Sequence, residues 1–204
     1  RLSPKKAGLD FDLAIYMLPL ADYVSTKGGL RLMSSTYRKY NDSSIPTKAK
    51  AGGSYINSFL ATSDAQRNGY DDALMFDDAG NVVEVSVANI VLIYRDQVII
   101  PDTGNAALEG ITVRSALELL EYNGYKINRG KIDRSMVFTA DELLVTGTAM
   151  KITYAESLDQ RPIWQLDFHA EPKPGKFYEL LKGEYEKVIN GDHELSKKWL
   201  FVVE

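Results

Sequence analysis

The stretch Lys48–Tyr55 combines two lysines, a glycine pair and a tyrosine where a polar loop runs into a helical pattern. A lysine placed there can act as a nucleophilic amine if it is partly desolvated. The glycines would leave room for a flat ring beside the amine, and the tyrosine could donate a hydrogen bond to that ring. A solvated surface loop is the alternative, and the stretch alone leaves both interpretations open.

Glu84 is the second candidate, because it interrupts the apolar strand pattern of Val82–Val87. An ionised carboxylate inside such a strand is costly unless it has a partner. It could hold a proton on the ring nitrogen of a ligand. Strand alternation could equally place it on a solvated face.

Two glycine-containing segments could bind anions. Gly110–Thr112 opens a helix pattern, whose first amides have no partner within the helix. In Thr146–Ala149, hydroxyl residues flank a glycine at the end of an apolar strand pattern. Each segment could also be an ordinary turn. Together, an amine, a phenol, a carboxylate and two anion sites are the groups that pyridoxal phosphate and a substrate carboxylate need.

Five blocks in this order resemble the fold-type IV pyridoxal-phosphate enzymes, and most closely the branched-chain amino acid aminotransferases. The family's Lys-x-Gly-Gly-Asn-Tyr signature corresponds to Lys50–Tyr55. Its strand glutamate, followed five residues later by Asn-aliphatic, corresponds to Glu84 with Asn89–Ile90. Its Leu-Pro-Gly-Ile-Thr-Arg segment corresponds to Leu108–Thr112, with Arg114 displaced by one. The remaining blocks are Ala140–Leu143 and Thr146–Ala149.

The resemblance implies a role for the positions around the cofactor ring. Lys50 would form the covalent link to pyridoxal 5′-phosphate and then move the substrate proton. Lys48 does not align and would be solvated. Tyr55 would hydrogen-bond the phenolic oxygen of the cofactor and Glu84 its ring nitrogen, while Leu108 would pack on the ring.

The resemblance also implies the groups that bind anions and the substrate side chain. The amides of Ile111 and Thr112, together with Thr148, would hold the cofactor phosphate. The amides of Thr148 and Ala149 would face the substrate carboxylate. Tyr23, at the end of a stretch similar to the family's Pro-aromatic-Gly-x-Tyr, would line the side-chain pocket.

Three positions depart from the family pattern. Ser54 replaces the signature asparagine. Ala88 stands where many relatives carry an acid, and Met150 stands where a small residue is common. The last of these departures indicates an altered pocket.

The reaction implied by the resemblance moves an amino group from a branched-chain L-amino acid to 2-oxoglutarate. D-Amino acid transamination and aminodeoxychorismate lysis stay open as other class IV activities, as does a catalytically silent domain used for dimerisation or binding. The implied partners are small amino acid and 2-oxo acid substrates and a second copy of the chain in a homodimer.

The strands and helices that position these residues are predicted in a pattern typical of an α+β fold, in which strands come in runs and helices lie between the runs. Residues 73–100 are β-branched-rich between turn signals, which predicts a β meander. We therefore expect the fold-type IV large domain, a meander or pseudo-barrel sheet with flanking helices. Strands are also predicted at residues 11–18 and 30–37, and helices from Tyr55, Gly110 and after Gly175. In the first helix, the predicted apolar face comprises Ile56, Phe59, Leu60 and Ala65. The predicted face of the second comprises Val113, Ala116, Leu117, Leu119 and Leu120, and that of the last comprises Phe177, Leu180, Leu181, Tyr185 and Val188.

Composition limits the other possibilities. A net charge of −4 argues against a nucleic-acid partner. The chain has no cysteine for disulfides or thiolate sites, which fits a cytoplasmic setting, and its two histidines do not predict a metal centre. No apolar run approaches the roughly 20 residues that cross a bilayer, so no membrane partner is expected.

The beginning of the chain predicts a piece of a longer protein. Arg1–Lys6 has neither an initiator methionine nor the apolar core of a signal peptide. We expect residues 1–27 to be the end of the family's small domain with its connector, and residues 28–204 to be the large cofactor-binding domain. The chain alone is then expected to transaminate weakly, because one wall of its site would be missing.

Overall fold

The computed structural model describes residues 12–17, 28–102, 104, 106–163 and 173–201. Within these residues, nine strands form one sheet in the order β3-β2-β1-β8-β7-β4-β5-β6, with β9 paired to β8. The strands are β1 Leu30–Arg38, β2 Asp72–Phe76, β3 Val82–Val85, β4 Asn89–Tyr94, β5 Gln97–Pro101, β6 Ile127–Gly130, β7 Glu142–Gly147, β8 Lys151–Leu158 and β9 Arg161–Pro162. The helices are α1 Tyr55–Arg67, α2 Ile111–Tyr122, α3 Arg134–Phe138, α4 Lys176–Asn190 and α5 Ser196–Trp199.

The sheet is mixed and curled, which confirms the predicted α+β pseudo-barrel. β1 runs parallel to both of its neighbours, β2 and β8, whereas β4, β7 and β8 pair antiparallel. β3 lies at one end of the sheet order, yet Val82 and Val85 share an apolar core with Ile90 and Leu92 of β4. The sheet therefore folds back on itself around that core.

The single meander predicted for residues 73–100 is wrong in its middle. The hairpins β2–β3 and β4–β5 both form, as the turn signals indicate. β4, however, is hydrogen-bonded by β5 on one side and β7 on the other. No edge of β4 is left for β3, so the chain changes place in the sheet between Val85 and Asn89.

The apolar face predicted for α1 is wrong for three of its four residues, and only Ala65 is buried as predicted. Ser58, Ala61 and Ala65 are buried, and the two alanines pack against Ala73 and Met75 of β2. Small residues on this side let the helix lie close to the sheet. The larger side chains therefore point away from it, and Ile56, Phe59 and Leu60 are 64%, 61% and 46% exposed.

The predicted face of α2 is confirmed, and that of α4 is confirmed at three of its five positions, with Leu180 and Tyr185 only partly buried. In α2, the buried residues include all five predicted positions, Val113, Ala116, Leu117, Leu119 and Leu120. α4 buries Phe177, Leu181 and Val188 against the same cluster. Glu142 in β7 fixes the start of α4, because its carboxylate accepts the amides of Phe177 and Tyr178, each at 2.9 Å.

The strand predicted at residues 11–18 is not observed where the structure describes it. Residues 12–17 have no regular secondary structure and are exposed, while the two end residues lie outside the described residues. No described strand pairs with this segment, so its backbone lacks the ladder partners that define a strand. None of the helices in the described ranges is long and apolar enough to cross a membrane.

Candidate active site

A cavity of about 400 Å³ opens between the end of β1, the start of α1, the β3–β4 connection and the end of β7. Every predicted site residue in the described part of the chain lines it, whereas Tyr23 lies outside the described residues. The chain therefore brings four separated segments to one place. These residues are Lys50, Tyr55, Glu84, Leu108, Ile111, Thr112, Thr148 and Ala149.

Lys50 and Tyr55 stand at the mouth of the cavity, on either side of the short 3-10 turn Gly52–Ser54. The Lys50 ammonium nitrogen lies 5.7 Å from the centre of the Tyr55 ring. An added Cβ at Gly52 or Gly53 would meet no atom within 4 Å. Both glycines are exposed and neither lines the cavity, so the predicted room for a flat ring beside them stays a prediction.

The Lys48 side chain does not line this cavity. Its ammonium group donates a hydrogen bond to the Ala107 carbonyl at 2.8 Å and lines a neighbouring cavity of about 330 Å³. Lys48 is exposed, as predicted, and its charged end is in addition bound by the backbone. Of the two lysines, only Lys50 lines the larger cavity.

Glu84 is buried, which removes the alternative of a solvated strand face. Its Oε1 lies 2.6 Å from the Lys39 ammonium nitrogen, and its Oε2 accepts a hydrogen bond from the Asn89 amide group at 3.0 Å. Burial raises the pKa of the Glu84 carboxyl, and the positive charge of Lys39 opposes that rise. Glu84 is thus a carboxyl group held in place by two polar partners.

Lys39 was missed by the sequence reasoning. It follows the last residue of β1, and its backbone amide extends the ladder by donating to the Phe76 carbonyl at 2.8 Å. The side chain is 6% exposed, and its ammonium also lies 5.3 Å from the Tyr40 ring centre. No local pattern marks a lysine after a strand as buried, and the sequence signal is only Glu84 itself, an acid in an apolar strand that needs a partner.

Asn89 connects the carboxylate to the predicted phosphate site. Its amide nitrogen donates to the Leu108 carbonyl at 2.9 Å as well as to Glu84. Its oxygen accepts the Gly110 amide at 3.0 Å. One side chain therefore fixes the segment that begins α2 relative to Glu84.

Two segments whose backbone amides could bind anions line the same cavity as these side chains. Gly110 is extended and precedes α2, so the amides of Ile111 and Thr112 belong to the unpaired first turn. On the other side, β7 ends at Gly147, and the exposed Thr148 and Ala149 follow it. This arrangement suits a ligand with two anionic ends.

Thr146 carries a polar group that the described protein residues do not satisfy. The side chain is 1% exposed and lines the cavity, and its Oγ1 is buried without a hydrogen-bond partner among the described residues. Such a group is normally paired in a native protein. An orphaned hydroxyl in the cavity wall fits a site that a polar ligand completes.

The residues that depart from the family pattern lie around the same cavity. Ser54 is buried, and its hydroxyl donates to the Ala51 carbonyl at 2.6 Å. Ala88 and Met150 both lie beside Gly147, where an added Cβ would be 3.1 Å from the Ala88 methyl and 3.5 Å from the Met150 Cγ. The wall next to the second amide group is therefore closely packed.

Comparison with known proteins gives one consistent result. A family profile described as amino-transferase class IV matches residues 3–158. The probable branched-chain-amino-acid aminotransferase of Aquifex aeolicus (strain VF5) is 33% identical over 98% of this chain and 63% of its own length. The Escherichia coli (strain K12) branched-chain-amino-acid aminotransferase is 31% identical over 95% of this chain and 62% of its own length.

Solved structures agree with the sequence relatives. The T.th. branched-chain amino acid aminotransferase with pyridoxamine 5′-phosphate superposes with a TM-score of 0.82, at 29% identity, over 91% of this chain and 59% of that one. Other structures of that enzyme contain 4-methylvaleric acid and N-(5′-phosphopyridoxyl)-L-glutamate. The chain thus spans less than two thirds of the relatives it matches.

Proposed function

The chain belongs to the class IV aminotransferase family, and on that premise we propose that Lys50 binds pyridoxal 5′-phosphate covalently in the cavity. The whole protein then transfers the amino group of a branched-chain L-amino acid to 2-oxoglutarate. One observation carries the proposal. Residues from four separated segments, chosen from the sequence for this cofactor, line a single cavity together with the orphaned Thr146 hydroxyl.

The residues of the cavity fit the cofactor at each of its polar groups. Tyr55 would bind the phenolic oxygen and Glu84 the ring nitrogen, while Leu108 would pack on the ring. The amides of Ile111 and Thr112 would hold the phosphate, since the first turn of a helix is a ready anion site. When bound, pyridoxal phosphate supplies an electron sink for the charge that develops at the substrate α-carbon.

The chemical work of the protein itself is proton transfer and orientation. The Lys50 amine would move the proton between the substrate α-carbon and the C4′ carbon of the cofactor. Glu84 would keep the ring nitrogen protonated, so that the ring can accept electrons. Thr148 joins the phosphate site, and the amides of Thr148 and Ala149 would orient the substrate carboxylate.

The substrate class rests on the relatives. The proteins at 31–33% identity are named branched-chain-amino-acid aminotransferases, and a solved neighbour binds 4-methylvaleric acid, which has a branched aliphatic chain. The glutamate adduct of the same neighbour supports 2-oxoglutarate as the second substrate. The Thr146–Ala149 turn belongs to the branched-chain pattern and supports the same choice.

The assembly and location are parts of the same proposal. The exposed apolar face of α1, formed by Ile56, Phe59 and Leu60, is of the kind that contacts another subunit, and we assign it to a homodimer. The domain division at residues 27 and 28 and a cytoplasmic location complete the proposal. The absence of cysteine supports that location.

The test uses the whole protein incubated with pyridoxal phosphate and then reduced with borohydride. We expect a yellow protein whose reduced adduct maps to the Lys50 peptide by mass spectrometry. Lys50→Ala should lose the adduct, whereas the matched variant Lys48→Ala should keep it. A colourless wild type without an adduct would favour a catalytically silent domain, and an adduct on Lys48 would overturn the assignment.

A second measurement decides the substrate. L-Leucine, D-alanine and aminodeoxychorismate are each supplied to the loaded protein, and conversion of the cofactor is followed by absorbance. We expect L-leucine to convert it and 2-oxoglutarate to restore it. Faster conversion by D-alanine, or lysis of aminodeoxychorismate, would assign one of the other class IV activities instead.

A further inference from the structure

Lys39 and Glu84 form an ion pair inside the candidate site, and the proposed chemistry does not use the lysine. The two charged atoms are 2.6 Å apart, and the side chains are 6% and 7% exposed. Two buried charges at this distance interact far more strongly than an exposed pair, because little water screens them. The protonation state of the Glu84 carboxyl therefore depends on Lys39.

The position of Lys39 is fixed by the sheet. Its backbone amide is bonded to Phe76 at the end of β2, and Glu84 lies on β3, which pairs with β2. Removing cofactor or substrate would not release this ammonium group from the carboxylate. Lys39 is thus a permanent neighbour of Glu84 and not a mobile surface charge.

The pair leaves Glu84 able to accept a further hydrogen bond. A carboxylate has about four lone-pair sites on its two oxygens. The Lys39 ammonium is at Oε1 and the Asn89 amide is at Oε2. A ring nitrogen can still donate to this carboxylate, and it must approach from a side that Lys39 does not occupy.

A proton shared between Glu84 and a ring nitrogen has two possible positions. On the carboxyl, it leaves the buried Lys39 charge without an ionic partner. If the proton is on the ring nitrogen, Glu84 is a carboxylate in contact with Lys39. The positively charged ring nitrogen is then farther from Lys39 than the carboxylate is. The attraction between Lys39 and the nearby carboxylate exceeds the repulsion between Lys39 and the more distant ring nitrogen, so Lys39 favours the proton on the ring.

We propose that Lys39 is a positioning residue that keeps this shared proton on the cofactor ring nitrogen by holding Glu84 as a carboxylate. This inference rests on the proposed function, since it needs the cofactor ring in the cavity. The other charges acting on Glu84 are the ammonium groups of Lys48 and Lys50. Lys48 is bonded to Ala107, and Lys50 would be linked to the cofactor or engaged in proton transfer, so neither replaces Lys39.

The experiment loads the whole protein with pyridoxal phosphate labelled with nitrogen-15 in the ring and records the chemical shift of that nitrogen. In the wild type we expect a protonated ring nitrogen. Lys39→Met should still carry the cofactor, with the signal shifted to that of an unprotonated pyridine, and Lys39→Arg should restore it. The control Arg38→Met removes the adjacent exposed charge on β1, outside the cavity, and should leave the signal unchanged.

Infrared spectra of the cofactor-free protein provide an independent readout. Lys39→Met should show the stretching band of a protonated carboxyl, and this band should disappear in Lys39→Met/Glu84→Gln. The wild type should lack any such band that Glu84→Gln removes. The wild-type measurement does not require that Lys39→Met folds, and a Glu84 carboxyl band in the wild type would overturn the inference.

The outcomes separate this inference from the proposed function. A wild type that binds no pyridoxal phosphate would overturn both. A wild type that binds it with an unprotonated ring nitrogen would overturn the roles of Lys39 and Glu84 at the ring and leave the covalent link to Lys50 standing. A wild-type shift in Lys39→Met would overturn the role of Lys39 alone.

Discussion

The side chain of Asn89 leaves no room for a side chain at residue 110. Its oxygen accepts the Gly110 amide at 3.0 Å, and a Cβ built on Gly110 would lie 2.6 Å from that same oxygen. Close contact with Asn89 therefore requires a glycine before α2. The backbone conformation does not require it, because Gly110 is in the ordinary extended region. Because Asn89 also binds Glu84, a substitution at Gly110 that moves Asn89 disturbs this bond to the Glu84 carboxylate.

The first prediction concerns Gly110→Ala. The methyl group must displace Asn89 or the start of α2, so we expect the free energy of unfolding to fall by roughly 1–3 kcal/mol and cofactor affinity to fall with it. Asn89→Ser should relieve the clash, making the double variant less damaging than the sum of the single changes. Chemical denaturation and equilibrium dialysis measure the two effects.

The control for Gly110→Ala is Gly183→Ala in the middle of α4. An added Cβ there meets no atom within 4 Å. Alanine is the better helix former, so this variant should gain about 0.5–1 kcal/mol. Equal stability changes in the two variants would contradict the contact with Asn89.

The second prediction concerns the orphaned hydroxyl of Thr146. Thr146→Val removes a buried polar group without a described partner, so the cofactor-free protein should become more stable by roughly 1 kcal/mol. The loaded protein should gain less, because the ligand loses a partner. Ser58→Ala should do the opposite in the cofactor-free protein, since the Ser58 hydroxyl donates to the Ser86 carbonyl at 2.5 Å. A destabilised cofactor-free Thr146→Val would show that the hydroxyl is satisfied without ligand.

The sequence was sufficient for features that depend on neighbouring residues along the chain. The apolar spacing of α2 predicted its buried face, and the blocks around Lys50, Glu84 and Thr148 predicted one ligand site. Lys50 precedes the turn that leads into α1, Glu84 lies within β3, and Thr148 follows β7.

Features that depend on the order of strands were beyond the sequence pattern. The contact between Lys39 and Glu84 exists because β2 lies between β1 and β3, which no local spacing reveals. The face of α1 was misjudged for a related reason. Periodicity assigns the large apolar residues to the core, whereas the close approach to β2 selects Ala61 and Ala65.

The third prediction tests the homodimer through α1. Leu60 is 46% exposed, so Leu60→Glu should change the free energy of unfolding of the single chain by less than about 0.5 kcal/mol. It should dissociate the dimer, because it buries a charge in an apolar contact. Sedimentation velocity over a range of concentrations measures the assembly. Lys126→Glu, at an exposed site between α2 and β6, adds negative charge as a control. A Leu60→Glu dimer as tight as the wild type would exclude this face.

The last prediction concerns acid stability and Asp159, which joins the turn after β8 to β1 and α3. Its carboxylate accepts the Ser34 amide and hydroxyl, each at 2.7 Å, and forms an ion pair with Arg134. Burial favours the protonated form, but the bonds from Ser34 and Arg134 outweigh it and lower the pKa of Asp159. A lowered pKa in the folded protein means that the unfolded chain binds the proton more readily.

The stabilisation by Asp159 should therefore be complete above the unfolded value of about 3.9, and should be lost as the pH falls through the lower folded value. Asp159→Asn should reduce the free energy of unfolding at pH 7 by about 0.5–1 kcal/mol, since the group is partly solvated, and flatten the acid limb of the stability curve. Asparagine tolerates the positive φ of 50° at this position, so the backbone is not strained. Arg134→Met, which keeps the Ser34 bonds, should have a smaller effect. Denaturation series between acidic and neutral pH measure the curve, and an acid limb of Asp159→Asn that superimposes on the wild type would show that Asp159 does not control it.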